Sequence, residues 1–286
     1  MNGTDVTVNQ MHSAAVPKGI VESRMRVSPH QMNIISILLA EIGKKTDDDD
    51  NRVYRLTAQD FADLQQLTDT RAAERIFRER ICENNKSETS MRHIGIDIFI
   101  DSLNFEHYNW FSSVTYKDGV ATFVLTPEMK RYLVEFKHSD QYRIYAKLKY
   151  ILPMKSQYSK RIYLMCREFI SSGVRYCDND WETFTNKLKI PKSYRYAHIK
   201  SRVLQTAIDE INALSDITVD YTINEENTQG GKVPKSIVFT IKRKANMIDT
   251  DEDFEEEVES KSLSELELEL EKIQKAIEQK KQAGKE

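Results

Sequence analysis

The chain lacks the features that mark most enzymes and most membrane proteins. It has no run of ~18 apolar residues, the length a bilayer-spanning helix needs, and its start, Met1 to Gly19, has neither the basic opening nor the apolar stretch of a secretory signal. Both absences point to a cytoplasmic protein without membrane association. The three cysteines, Cys82, Cys166 and Cys177, form no CxxC pair. Cys82 and Cys166 fall inside helix-like runs, where a thiol packs as a small hydrophobe. The six histidines, His12, His30, His93, His107, His138 and His198, contain no HxH pair. A strand-nicking site built on metal-bound histidines and a tyrosine is therefore not supported. Gly230-Gly231-Lys232-Val233 has neither the spacing nor the hydroxyl residue of a GxxxxGK[ST] phosphate loop, and zinc-ligand spacing and a GxSxG elbow are missing. The chain reads as non-enzymatic, with no cofactor and no metal.

What is present is an uneven charge distribution. The net charge of -3 over 286 residues conceals three regions. Residues 146–245 carry 18 Lys+Arg against 10 Asp+Glu, residues 246–286 carry 6 against 14, and the remaining 145 residues carry 18 against 21. A basic middle joined to an acidic tail suggests a polyanion-binding unit with a solvated or competing appendage.

The length suits two compact domains, and the order of elements repeats. Residues 1–19 are polar and without hydrophobic periodicity, which predicts a flexible arm. A helix follows from Ser28-Pro29 to Gly43, then an acidic loop at Asp47 to Asp50. Thr57 caps a short helix to Leu67 through a Thr-x-x-Asp start with Asp60, and a third helix spans about Asp69 to Glu83. Ile94, Ile96, Ile98 and Ile100 alternate as a strand with one buried face, or as a dimer edge. Val114 to Tyr116 and Val120 to Leu125 flank Lys117-Asp118-Gly119 as a hairpin. The same series recurs from residue 150: a helix from Ser156 to Gly173, a second from Trp181 to Leu188 stopped by Pro191, a third from about Arg195 to Leu214. Strands Ile217 to Ile223 and Ser236 to Lys242 then flank a wing loop, Asn224 to Lys235. Three helices followed by strands is the order of a winged helix. The expected fold is α+β, with two tandem winged-helix domains at residues 20–145 and 146–245. A tail, 246–286, has Leu263, Leu266, Leu270, Ile273 and Ile277 at the spacing of a short helix.

The residues that carry chemistry cluster in the second repeat. No acid occurs between Glu182 and Asp209, whereas Lys187, Lys189, Lys192, Arg195, Lys200 and Arg202 do, interleaved with Phe184, Tyr194, Tyr196 and His198. Phosphate neutralisation needs cations, and hydroxyl donors such as Ser193 and Tyr194 near a helix N-terminus assist it. With 100° per residue, the apolar positions of the third helix fall on one side and His198, Ser201, Arg202 and Gln205 on the other. Arg202 suits guanine and Gln205 adenine. Lys200 falls toward the core side and is expected to extend outward along its stem. Lys232 and Lys235 add charge to the wing. An offset of 127 residues lays Arg71, Arg75 and Arg78 of the first repeat on His198, Arg202 and Gln205. Those three arginines are equally consistent with ordinary solvated surface.

Tyr158 to Tyr163, Phe184 to Lys189, Pro191 to Tyr194, Arg202 to Leu204 and Ala207 to Asn212 together resemble the iteron-binding replication initiators of theta-replicating plasmids, the class of the F-plasmid initiator. The resemblance covers about residues 20–245 and is most specific over 156–243. It implies that the C-terminal winged helix reads the major groove of a directly repeated site. The N-terminal one would contact the DNA backbone or mediate dimerisation. It assigns Lys192, Ser193, Tyr194, Arg195, His198, Ser201 and Arg202 to binding. Further implications are origin opening, recruitment of the host replication initiator and helicase machinery, a monomer–dimer equilibrium and autorepression by the dimer. A winged-helix transcriptional regulator on a palindromic operator, or a winged-helix protein-interaction module, would share the local features.

Overall fold

The computed structural model describes residues 3–44, 52–78, 90–99, 104–138, 143–176, 180–228 and 231–244. The chain opens with β1 (Thr4–Asp5), β2 (Ser13–Pro17) and α1 (Lys18–Glu22), then α2 (Pro29–Lys44), β3 (Val53–Thr57), α3 (Ala58–Leu64) and α4 (Thr70–Arg75). Next come β4 (Gly95–Phe99) and β5 (Phe105–Asn109), which pair as a hairpin, and β6 (Phe111–Lys117) and β7 (Val120–Leu125). α5 (Pro127–His138), β8 (Arg143–Lys147) and α6 (Leu148–Ile151) connect to α7 (Gln157–Arg167), β9 (Val174–Tyr176) and α8 (Trp181–Lys187). A continuous helical run follows: α9 (Tyr196–Ile199), a π turn (Lys200–Gln205) and α10 (Thr206–Leu214). The long strands β10 (Ile217–Thr228) and β11 (Gly231–Arg243) end the described chain.

The repeat read from the sequence is a repeat of topology. In the first half the sheet order is β1-β3-β7-β6, and in the second it is β10-β11-β9. Each half therefore has helix, strand, helix, helix and hairpin, with the early strand hydrogen-bonded to the second strand of the hairpin. Both halves are winged helices. The cores match as well. Phe61 of α3 lies 4.9 Å from Phe77, which lies 5.6 Å from Tyr116 of the hairpin. In the second half Phe184 of α8 lies 5.9 Å from Phe239 of β11, and Val203 and Leu204 of the third helix are fully buried. Each such buried side chain contributes about 1.5–3 kcal/mol.

Capping follows the sequence signals. The Thr57 hydroxyl accepts from the Asp60 amide at 3.0 Å, and the Ser156 hydroxyl accepts from Tyr158 at 3.1 Å. The second helices end alike. Gln66 N–H donates to Asp63 and Leu67 N–H to Ala62; Lys189 N–H donates to Asn186 and Ile190 N–H to Thr185. Each is a Schellman turn closed by a non-glycine residue in the left-handed region, Gln66 at φ 53° and Lys189 at φ 50°. The second helix is thus stopped by this turn, before Pro191 is reached. At Gly173 (φ +71°) the amide donates to Phe169, ending the turn after α7.

Three expectations need correction. Residues 1–19 are not a flexible arm as far as they are described: β1 runs parallel to β3, β2 pairs with β8, and Val6, Val8, Ala14 and Val16 are buried. The apolar positions occur in two pieces separated by a polar turn at Asn9 to His12, too short for a period to register. The loop foreseen from Asn224 to Lys235 is instead hairpin, continuing past the core with a bulge at Asn224/Glu225. Beyond Ile223 both faces of the ribbon are wet, so no alternation marks it as strand. The boundary at 145 falls inside β8, which is paired to β2.

The isoleucine alternation does mark β4: Ile94 and Ile96 are buried and Ile98 is partly buried. Its edges carry β5 on one side and, on the other, a two-bond bridge between Arg24 and Asp97. Cys166 is buried, and burial pushes its thiol up to about 12. Cys82, Cys177, the acidic loop at 47–50, the end of the third helix beyond 78 and the whole tail lie outside the described residues. Among the described residues no helix is long and apolar enough to cross a membrane, and no group of three His, Cys, Asp or Glu could hold a metal.

Candidate nucleic-acid interface

The second helix-turn-helix begins at Asp180, whose carboxylate caps α8 by accepting from Thr183 at 2.6 Å. After the Schellman turn, Pro191, Lys192 and Ser193 form an exposed turn closed by Tyr194 N–H donating to Pro191 at 2.9 Å. Arg195 is the N-cap of α9, and its amide donates to Nδ1 of His198 at 3.4 Å. That acceptor role leaves Nε2 of a neutral His198 ring as a donor.

Tyr194 is the platform of the site. Its ring lies 6.0 Å from His198 and 5.9 Å from the Arg202 guanidinium, a cation–π contact that orients Arg202 without consuming its hydrogen bonds. Arg195, Ser201, Arg202 and Gln205 are exposed and His198 is half-buried. None packs into the apolar interior. No described carboxylate lies within ion-pair distance of Lys192, Arg195 or Arg202. Ser201 donates back to the Ala197 carbonyl at 3.0 Å, and the Gln205 amide donates to Asp209 at 2.8 Å. Gln205 is therefore tethered to an acid at the far end of the face, which weakens its case as a base reader.

Lys200 extends outward as expected and is exposed, with Nζ 5.5 Å over the Tyr196 ring. It opens the π turn, whose i→i+5 pattern takes more residues per turn than the 100° spacing assumes. A π turn also occupies Ile76 to Arg78 of the first repeat, and the offset of 127 places it on residues 203–205.

The wing is held to this helix by a contact that no local signal announces. The Tyr196 hydroxyl donates to Glu225 at 2.6 Å, and Glu225 also pairs with Lys232 at 3.2 Å. The hydrogen bond from Tyr196, then Lys232, holds the Glu225 carboxyl below the usual range, while burial and then Glu225 push the Tyr196 phenol well up. Trp181 packs edge-on against Tyr196 at 5.6 Å. Lys235 pairs with Glu226 at 2.6 Å, so both wing lysines foreseen as DNA ligands are exposed but engaged with wing carboxylates.

Lys187 and Lys189 belong elsewhere. The Lys187 side chain is 13% exposed and ion-paired to Glu22 of α1, which also meets Arg175 at 2.7 Å. Lys189 faces Asp97 of β4 at 3.6 Å, and Asp97 is bonded to His107 at 2.8 Å. Burial raises the Glu22 carboxyl, but Arg175 and Lys187 outweigh it and hold the group low. Nearby, Arg161 of α7 donates to the Val21 and Ser23 carbonyls at 3.0 and 2.6 Å, and Lys18 pairs with Glu168 at 2.8 Å. The C-terminal end of α8 thus faces α1 and β4, and its two lysines join the halves of the molecule; they are removed from the free cationic face.

The first half offers a weaker counterpart. Arg71, Arg75 and Arg78 are exposed, but the Arg71 guanidinium folds back on the helix cap Asp69 at 3.1 Å. The Arg71 amide and side chain together hold the Asp69 carboxyl below its ordinary range.

Two family models match in succession. One, described as initiator replication protein, WH1, covers residues 16–167; the other, described as initiator Rep protein, WH2, covers residues 180–241. The first takes in α7, which precedes β9 in the order of the second winged helix and packs against α10 as well as α1 and α2. Among solved structures, the crystal structure of the Pi initiator protein in complex with iteron DNA superposes with a TM-score of 0.61 at 19% identity, covering 82% of this chain and 98% of that one. At that identity the likeness concerns the fold alone. No curated protein matches the chain.

Proposed function

The chain belongs to the initiator replication protein family, and from that premise we propose that it binds duplex DNA at directly repeated origin sites and initiates replication of the plasmid that carries them. The observation that carries this reading is the face formed by Lys192, Arg195 and Arg202: exposed cations, unpaired with any described carboxylate, at the start of a helix supported by Tyr194. Neutralising phosphates with such cations releases counterions and provides most of the affinity. Arg202, with five donors and no ion pair among the described residues, is the base reader, contacting O6 and N7 of guanine. Ser193 and the helix N-terminus take phosphate. Arg75 and Arg78 of the first half contact backbone further along. That the Pi initiator protein was crystallised with iteron DNA supports the same ligand class for this fold.

Opening of adjacent DNA, recruitment of the host replication initiator and helicase machinery, and autorepression by a dimer are inferred from family membership and complete the proposal. Footprinting on the DNA flanking the gene tests it. Protection of several spaced direct repeats is the expected outcome. A single protected palindrome would make the chain a transcriptional regulator instead, and affinity that does not fall steeply between ~50 and ~200 mM salt would remove phosphate binding from the account.

A further inference from the structure

Downstream of the described fold lies a second polyanion. Eight of the eleven residues from Asp249 to Glu259 are Asp or Glu and none is Lys or Arg. Resting on the DNA-binding reading above, we propose that this stretch docks on the Lys192–Arg195–Arg202 face and competes there with DNA.

The exit point of the tail makes this contact geometrically natural. Lys244 is anchored where the recognition helix ends, its Nζ donating to the carbonyls of Asn212 and Ser215 at 2.7 Å each. Arg202 lies ten residues upstream of Asn212, about 15 Å along the helix, and Arg195 about 26 Å. From Lys244, five residues reach Asp249 and fifteen reach Glu259, spans of at most ~17 and ~51 Å. Those spans are long enough for the acidic stretch to reach back along the cationic face. Extended, it carries a charge about every 5 Å, near the one per 3.4 Å of a single DNA strand. Its local target holds no acid of its own between Glu182 and Asp209.

Tethering makes even a weak contact effective, because short linkers give millimolar effective concentrations. The consequence is selectivity. A competitor that covers phosphate-binding cations lowers affinity for every sequence, and sites that also satisfy Arg202 overcome it best.

The test uses the full-length chain with the eight acids changed to Asn or Gln, beside the unaltered chain. A fluorescent peptide of residues 246–260 should bind the neutralised chain at low salt, be displaced by duplex, and lose binding in R195A/R202A but not in Lys117→Ala. Affinity of the neutralised chain for a random duplex should rise about 3- to 10-fold, with the gain vanishing as salt approaches ~200 mM. Peptide binding indifferent to R195A/R202A would overturn the proposal. So would an equal gain when the acids are neutralised in an R195A/R202A background, which would mean net charge alone is at work. If both chains bind duplex equally, the competition fails and DNA binding stands. If neither binds duplex, the DNA reading fails and takes the competition with it.

Discussion

The two third helices of this molecule share a frame and differ in charge. Both follow a Schellman turn closed by a left-handed non-glycine residue, both contain a π turn at matched positions, and both bury hydrophobes, Phe77 in the first and Val203 and Leu204 in the second. Around α4, however, the cations have acidic company: Arg71 is folded onto Asp69, Glu74 lies on the same helix, and Asp60 and Asp63 lie on the preceding one. Around α9 the nearest acids in sequence are Glu182 and Asp209, and Tyr194 supports Arg202 from below. The repeated fold thus presents a helix twice, and the side-chain electrostatics differ between the two; on the proposed function, that difference assigns base reading to the second.

The sharpest way to break that comparison is to remove Arg195 and Arg202 together. R195A/R202A should lose about 2–4 kcal/mol of affinity for an origin repeat, roughly 30- to 1000-fold. The part due to Arg202 should appear as lost discrimination at one base pair, measured by mobility shift on single-base variants of the site. Unchanged discrimination would move the reading helix elsewhere. In the first half R75A/R78A, at the positions that align with Arg202 and Gln205, should cost about 10-fold or less. Its loss should be uniform across sequences, with the slope of log affinity against log salt falling by about 0.9 per arginine that contacts phosphate. A base-specific loss there would erase the asymmetry between the halves.

How far the sequence carried this picture depends on the range of the interaction. Helix starts at Thr57 and Ser156, the buried series in α7 and α10, and the order of elements in both halves are local patterns, and they were legible. The exposure of Arg202 and Ser201 followed from helical spacing. The π turn was not visible, because its register shift depends on tertiary packing, whereas the outward reach of Lys200 was expected and is found. β1, β2 and β8 escaped because short strands find their partners far along the chain. The same limit affected the lysines: Lys187, Lys189 and Lys192 look alike as letters in a basic run. Only the fold brings Glu22 and Asp97 to the first two and leaves the third open.

A smaller effect separates positioning from charge. Tyr196→Phe removes the hydroxyl that holds Glu225, and with it the wing, while leaving net charge untouched. Affinity for the repeat should fall about 3-fold, as expected of one modest hydrogen bond, with no change in salt slope. In an E225A background, adding Tyr196→Phe should cost no further affinity, since the contact it breaks is already gone. Additive losses would show that Tyr196 acts on DNA directly.

The smallest expected effect on DNA binding concerns Lys187, and it tests the boundary of the cationic face. Lys187 and Lys192 are five residues apart in one basic run. Lys187 is largely buried against Glu22 at the junction of the halves, whereas Lys192 projects from the exposed turn. Phosphate binding requires a cation that exchanges small counterions in the free protein. Lys187, already neutralised by Glu22, has none to release. K192A should therefore reduce the salt slope by about 0.9, while K187A should leave it unchanged. K187A should instead lower the unfolding midpoint. Its loss leaves Glu22 with Arg175 at 2.7 Å, so the cost stays below the ~3–5 kcal/mol of a buried charge stripped of its partner. A K187A slope that drops like that of K192A would mean that the halves separate when DNA binds, freeing Lys187 for phosphate, and the face would then extend back to α8.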